Sequence, residues 1–389
     1  MDNLAHARAS MLSMLIGAAL FITACQAETR PGSVEVIGSP QTGSVSVSAP
    51  APSSTSSGGS GLNIPVGLQP ATTGPTKSDG IYTPTTNREI YQKISSDYQE
   101  IVALTNQVND GKPLPAAEIL LLYEAGKHTR IGTSSRSLRM WAREAARSQD
   151  FPDAVAFYKS ATFLDDPVND AIVGARAAEK YTPAQRRQAI QKGIQRILYH
   201  WSRHYIQRAA TALNPGLVDE AWAIYVGEEK DGKYPNSLAA TAQSREGNFN
   251  RQGSIDEPLR RALSQAQKAA ADKNQAAYDT AANEIYSRFH AIFYLATARY
   301  LNEALKSAES GNAENAKVQM IEGFSFYQSI QPQVAKSDPE ADRAVVAFYQ
   351  SDPATLTAAS RDSTLAALNK TTDSLLLKQG DIVTPSDFK

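Results

Sequence analysis

Glu220-Ala-Trp-Ala-Ile-Tyr225 decides how this chain is read, because the same frame returns on either side of it. Glu118-Ile-Leu-Leu-Leu-Tyr123 lies 102 residues earlier and Glu322-Gly-Phe-Ser-Phe-Tyr327 lies 102 residues later. A fixed internal interval is the mark of repeated supersecondary units. Each segment is apolar on nearly every side, the pattern of a helix buried all round. A Glu placed there calls for a partner, since an unpaired buried carboxylate is costly.

Working outward, each segment is flanked in a similar way. Gly126 and Gly227 stop the first two Glu–Tyr helices, and Asn214-Pro-Gly216 and Gly311-Asn312 separate the second and third from longer helices before them. Those long helices are expected at about 183–213 and 272–310. The order Tyr123, Gly126, Ser137-Leu138, Arg143-Glu144 matches Tyr225, Gly227, Ser237-Leu238, Arg245-Glu246. Earlier, Ile90, Tyr91, Ile94, Tyr98, Ile101 and Leu104 recur at three- and four-residue steps, an amphipathic helix. No alternating strand pattern persists. The expected fold is all-α, a bundle of long antiparallel helices built from two or three duplicated helix-hairpin units.

The ends of the chain carry a different composition. Arg8 precedes an apolar run from Met11 to Ala24, and Ile22-Thr23-Ala24-Cys25 places small residues before the single cysteine of the chain. The run is too short to span a membrane as a mature helix and reads as a signal-peptide core. The stretch resembles the bacterial lipobox, which implies lipidation at Cys25 and removal of residues 1–24. Gln26 in the next position implies outer-membrane sorting, with the protein facing the periplasm. Residues 25–86, rich in Ser, Thr, Pro and Gly, read as a disordered tether. Its span is roughly 45 Å. The helical body is expected over 87–350, followed by a C-terminal helix and tail over 351–389. One cysteine excludes disulfides and thiolate metal clusters. With 39 basic and 40 acidic residues, the chain lacks the charge footprint of a nucleic-acid-binding protein.

Candidate chemistry centres on the segments themselves. Positions five apart on a helix point about 140° apart. Tyr225 therefore shares a face with Val218 and Trp222, while Glu220 points toward Ile224 and Ala223. Glu118 and Glu322 are placed similarly. An Arg from a neighbouring helix (Arg203, Arg208, Arg288 and Arg299 are available) or a bound cation would each neutralise them. Carboxylate and phenolate oxygens are hard donors, suited to ferric iron, Mn, Ca or Mg. The candidate metal set is thus Glu118, Glu220, Glu322 and Tyr225, with His290 as a ligand or a hydrogen-bonded core histidine. His200 and His204 stand at i and i+4, a spacing that can clamp a divalent metal. Between Arg196, Arg203 and Arg208 they read instead as a solvated basic face. No nucleophile elbow, phosphate loop or dinucleotide fingerprint is present, so an enzyme is not expected.

Val218-Asp-Glu-Ala-Trp-Ala-Ile-Tyr-Val-Gly227, Ala240-Thr-Ala, Arg245-Glu-Gly-Asn-Phe249 and Tyr123-Glu-Ala-Gly-Lys127 resemble the algal iron-assimilating, high-CO2-inducible periplasmic proteins and their bacterial lipoprotein relatives. The resemblance covers about residues 85–350. It implies a non-catalytic envelope protein that binds iron, or a small iron complex, and assists its uptake through a transporter. Ser287-Arg-Phe-His290-Ala-Ile-Phe293 also approaches the Gly-x-His-x-x-Glu motif of imelysin-type lipoproteins, but Arg288 and Phe293 stand at its Gly and Glu positions. The competing expectation is a tetratricopeptide-like interaction scaffold tethered to the envelope. It draws on Asp153-Ala-Val-Ala-Phe-Tyr-Lys-Ser-Ala161 and on 102 being three times 34.

Overall fold

A computed structural model describes residues 74–388, apart from 132, 133 and 145–148. The helices are α1 (Glu89–Gln92), α2 (Ile94–Asn106), α3 (Ala116–Ala125), α4 (Leu138–Glu144), α5 (Pro152–Tyr158), α6 (Asp165–Val173), α7 (Pro183–Ala212) and α8 (Pro215–Val226). They continue as α9 (Leu238–Asn248), α10 (Asp256–Ala271), α11 (Gln275–Glu309), α12 (Ala313–Tyr327), α13 (Gln331–Ser337), α14 (Pro339–Gln350) and α15 (Ala358–Asn369). The described strands are one pair of two-residue segments, Arg130–Ile131 against Ser134–Ser135. The fold is all-α.

Two long helices, α7 and α11, form the spine, and each folds back into a Glu–Tyr helix, α8 and α12. Local chemistry fixes both ends of α7. Thr182 and Gln185 make a reciprocal capping box at its start, with Pro183 in the first turn. Asn214 then caps α8 through the Gly216 amide. Gly227 ends α8 at φ 71°, and a Cβ there would lie 2.6 Å from Ser95 Cβ. That position therefore needs glycine on both counts. Gly323 plays a packing role: a Cβ would sit 2.6 Å from Tyr300 Cβ, so α12 can lie close on α11. The core runs along this spine, with Tyr199, Trp222, Tyr225, Phe289, Phe293 and Tyr327 essentially inaccessible to solvent.

Both ends of the body extend further than composition implies. Residues 74–86, expected to belong to the tether, pack as a strap on α8. Tyr82 is fully buried and stacks on Trp222 at 4.9 Å. The buried Asp219 carboxylate accepts from the Tyr82 hydroxyl, the Thr85 and Thr86 amides and hydroxyls, and Gln267 Nε2. One aromatic and one carboxylate acceptor thus hold a segment otherwise poor in apolar surface. At the other end, residues 370–388 pack against α11: Arg288 pairs with Asp381 at 3.1 Å, and the Val383 amide donates to the Tyr294 hydroxyl at 2.8 Å. The expected signal segment and Cys25 lie outside the described residues.

Candidate functional site

The three tyrosines share one bonding pattern. Tyr123 donates to Asp165 at 3.0 Å, Tyr225 to Asp256 at 2.8 Å and Tyr327 to Asp342 at 2.8 Å. Each acceptor lies in the first turn of a later helix, where a carboxylate also complements the helix dipole. A side chain from the intervening short segment joins every pair: Arg139 to Asp165, Gln243 to Asp256, Gln331 to Asp342. Tyr225 is therefore a buried structural donor. Burial and the adjacent Asp256 carboxylate push its phenol well above the ordinary range, which opposes phenolate ligation.

The three glutamates diverge. Glu118 is exposed on α3, because only Ile119, Leu122 and Tyr123 of that helix face the core deeply. Glu322 is buried on α12, accepting from the Tyr300 hydroxyl and pairing with Lys192 Nζ at 3.0 Å. Although burial acts to raise its pKa, Lys192, the Tyr300 hydroxyl and Arg245 outweigh this and lower it. Glu220 pairs with Arg88 Nη2 at 3.2 Å. There burial prevails over Arg88, Tyr91, Arg136 and Arg208, and the pKa is raised. Glu220 and Glu322 do not converge. Their neighbours on α7, Tyr205 and Lys192, stand about 20 Å apart along the helix.

His290 is likewise absorbed into the core. Its Nδ1 donates to the Leu375 carbonyl at 2.8 Å. Burial, reinforced by Arg203, pushes its pKa down to about 3. The five expected metal ligands are thus dispersed, and among the described residues no group of three or more His, Cys, Asp or Glu side chains is arranged to hold a metal ion. The structure assigns counter-charges to Arg88 and Lys192, which are remote in sequence, instead of the expected Arg203, Arg208, Arg288 or Arg299.

What the structure does build is a cleft beside Glu220, an open space of about 560 Å³. Its walls carry Tyr91, Tyr205 and Trp201, the cations Arg136 and Arg208, and the carboxylates Glu144, Asp150 and Glu220, along with His204. Arg88 and Arg136 each lie 5.8 Å from the Tyr91 ring centroid, and Tyr91 packs edge-on to Trp141 at 5.6 Å. Trp201 is fixed by donating to the Trp141 carbonyl at 2.6 Å. Among the described residues Arg136 and Arg208 have no carboxylate within ion-pair distance, so two cations stand at the wall without one.

His200 and His204 reverse their expectation as a solvated basic face. Both are buried, under the segment that runs through Phe151 and Phe163. His204 Nε2 lies 3.6 Å from Asp150 Oδ1, while burial, Arg196 and Arg203 hold His200 well below the usual histidine range. The signal available in the sequence was the pair of phenylalanines flanking α5, whose rings need a surface to cover.

Comparison with protein-family models, curated protein sequences and solved structures gave no match. Among the described residues no helix is long and apolar enough to cross a membrane.

Proposed function

We propose that the protein is an envelope lipoprotein, anchored through Cys25, that takes up iron as an anionic chelate in the Glu220 cleft and passes it to an uptake transporter without catalysis. The observation that carries this reading is the arginine and aromatic lining of the cleft: Arg136 and Arg208, without a carboxylate in ion-pair distance among the described residues, stand with two tyrosines and one tryptophan beside the carboxylates Glu144, Asp150 and Glu220. Arginine forks suit carboxylate or catecholate oxygens of a chelator, and aromatic faces suit its body. The stretch that resembles the iron-assimilating proteins supplies Glu220 to the same wall.

The test is metal analysis of the isolated full-length chain, then titration of the metal-stripped protein with ferric citrate and with ferric nitrilotriacetate, followed by tryptophan fluorescence. Saturable quenching that weakens about tenfold in Arg208→Ala or Arg136→Ala supports the reading. Absence of saturable binding to both complexes and to the free ions sinks it.

The scaffold reading draws support from the Arg88–Glu220 and Lys192–Glu322 pairs, which make those glutamates structural. Against it stand the 30- and 35-residue lengths of α7 and α11, too long for a 34-residue hairpin unit.

A further inference from the structure

A second cavity, of about 120 Å³, lies between α7, residues 150–154 and α13. Its lining includes His200, Arg203 and His204 from α7, Phe151 and Ala154 opposite, and Pro332 from α13. That volume is well above the roughly 10–15 Å³ a single water needs. The floor is apolar and one wall is cationic.

The α7 side carries buried polar nitrogens without a partner, although Arg203 Nη1 is also met by the Gln333 amide oxygen at 2.7 Å. His200 is 3% exposed and its Nε2 has no partner. Arg203 Nη1 donates to the Tyr199 hydroxyl at 3.2 Å, yet its Nε is buried and unused. Behind them Arg196 is 2% exposed, lies 4.5 Å from the Tyr158 ring centroid, and leaves Nε and Nη2 unpartnered. Among the described residues no carboxylate lies within ion-pair distance of Arg196 or Arg203. Buried guanidinium groups are ordinarily paired, because desolvation without an anion is costly. Aromatic faces offset part of that cost and leave the charge in place. The rim carboxylates are paired within the lining itself: Asp150 with His204, and Asp153 with Lys336 at 3.7 Å.

We propose that this cavity binds a small organic carboxylate, its oxygens meeting Arg203 Nε and His200 and its hydrocarbon body lying on Phe151, Ala154 and Pro332. The planar guanidinium edge matches a carboxylate, and the apolar floor favours an organic acid over a fully hydrated inorganic oxyanion. Neutral His200 offers a donor without adding a third cation. The assignment is independent of iron and of the Glu220 cleft.

Iron-free full-length protein is titrated calorimetrically with sodium benzoate, sodium succinate and inorganic phosphate at matched ionic strength. The expected result is saturable binding of a carboxylate, weakened about tenfold to hundredfold in Arg203→Met and unchanged in Glu220→Ala. Should Arg203→Met fold poorly, the wild-type protein serves: the His200 imidazole nitrogen resonances shift on adding the carboxylate. No saturable carboxylate binding, equal binding in Arg203→Met that folds normally, unmoved His200 resonances, or a preference for phosphate would each overturn the assignment. Loss of ferric chelate binding with carboxylate binding retained would count against the iron reading alone.

Discussion

Glu322 and Glu220 occupy the same place in their segments and have opposite electrostatic character, so replacing each by glutamine separates their roles. Glu322→Gln keeps the shape and removes the charge that Lys192 meets at 3.0 Å. Lys192 has only 15% of its side chain exposed, and Arg245, stacked 5.8 Å from the Tyr300 ring centroid, is buried beside it. Two cations would lose the carboxylate that faces them. Breaking a buried pair from one side costs about 3–5 kcal/mol, and partial solvation of Lys192 places this case near about 3. For a body of this size that is a fall in Tm of about 5 °C. The acid dependence gives a second handle. Because the folded pKa of Glu322 is depressed, its stabilisation is present above the unfolded carboxyl range, near pH 4.3, and is lost as pH falls through the folded value. Urea denaturation of both proteins at pH 7 and at pH 3 should therefore show a gap that narrows in acid. A gap below about 1 kcal/mol at pH 7, or one that persists unchanged at pH 3, would refute the reasoning.

Glu220→Gln, at a carboxyl whose pKa is raised by burial, should shift stability by no more than about 1 kcal/mol, measured by the same denaturation series. Tyr225→Phe removes one donor from Asp256 but leaves Gln243 and Arg260, so a loss of about 1.5–3 kcal/mol is expected; Tyr123→Phe and Tyr327→Phe should fall in the same range, and a neutral effect at all three would show the bonds to be incidental. Asp219→Ala leaves the strap donors without their acceptor, and limited proteolysis should then cut within residues 74–86 while wild-type protein resists there. His290, pushed down to about 3, should show no imidazole titration by NMR between pH 8 and pH 5.

Much of the helical frame could be read before any coordinates. The Gly126 and Gly227 stops, the Asn214-Pro215 start and the 100° spacing that put Tyr225 on the face of Val218 and Trp222 are local chemistry, written in adjacent residues. The acceptors of the tyrosines were not legible. Asp165, Asp256 and Asp342 follow their tyrosines by 42, 31 and 15 residues, so no spacing marks them. The counter-ions of Glu220 and Glu322 sit in segments that only the tertiary fold brings near. His200 and His204 failed for a related reason: arginines on both sides look solvated in sequence, but Arg196 is folded under Tyr158 and Phe163. In the strap, one Tyr in a Ser/Thr/Pro-rich stretch outweighed the composition around it.

The divided fate of the repeated segments also says where chemistry can reside. A buried tyrosine whose hydroxyl donates to an aspartate, and a buried glutamate neutralised by a lysine, already have the partners their burial calls for. Glu118 is exposed on an open surface, whereas Glu220, paired at its edge with Arg88, lies beside a cleft. The unspent capacity lies instead on α7. Arg196, Arg203 and Arg208 rise along that one helix without a carboxylate in ion-pair distance among the described residues, and the cleft and the smaller cavity both open on its central turns. The two spaces share Asp150 and His204. Because each site is argued from its own lining, carboxylate affinity measured with and without saturating ferric chelate should agree within a fewfold, and a larger difference would show the shared Asp150–His204 pair to couple them.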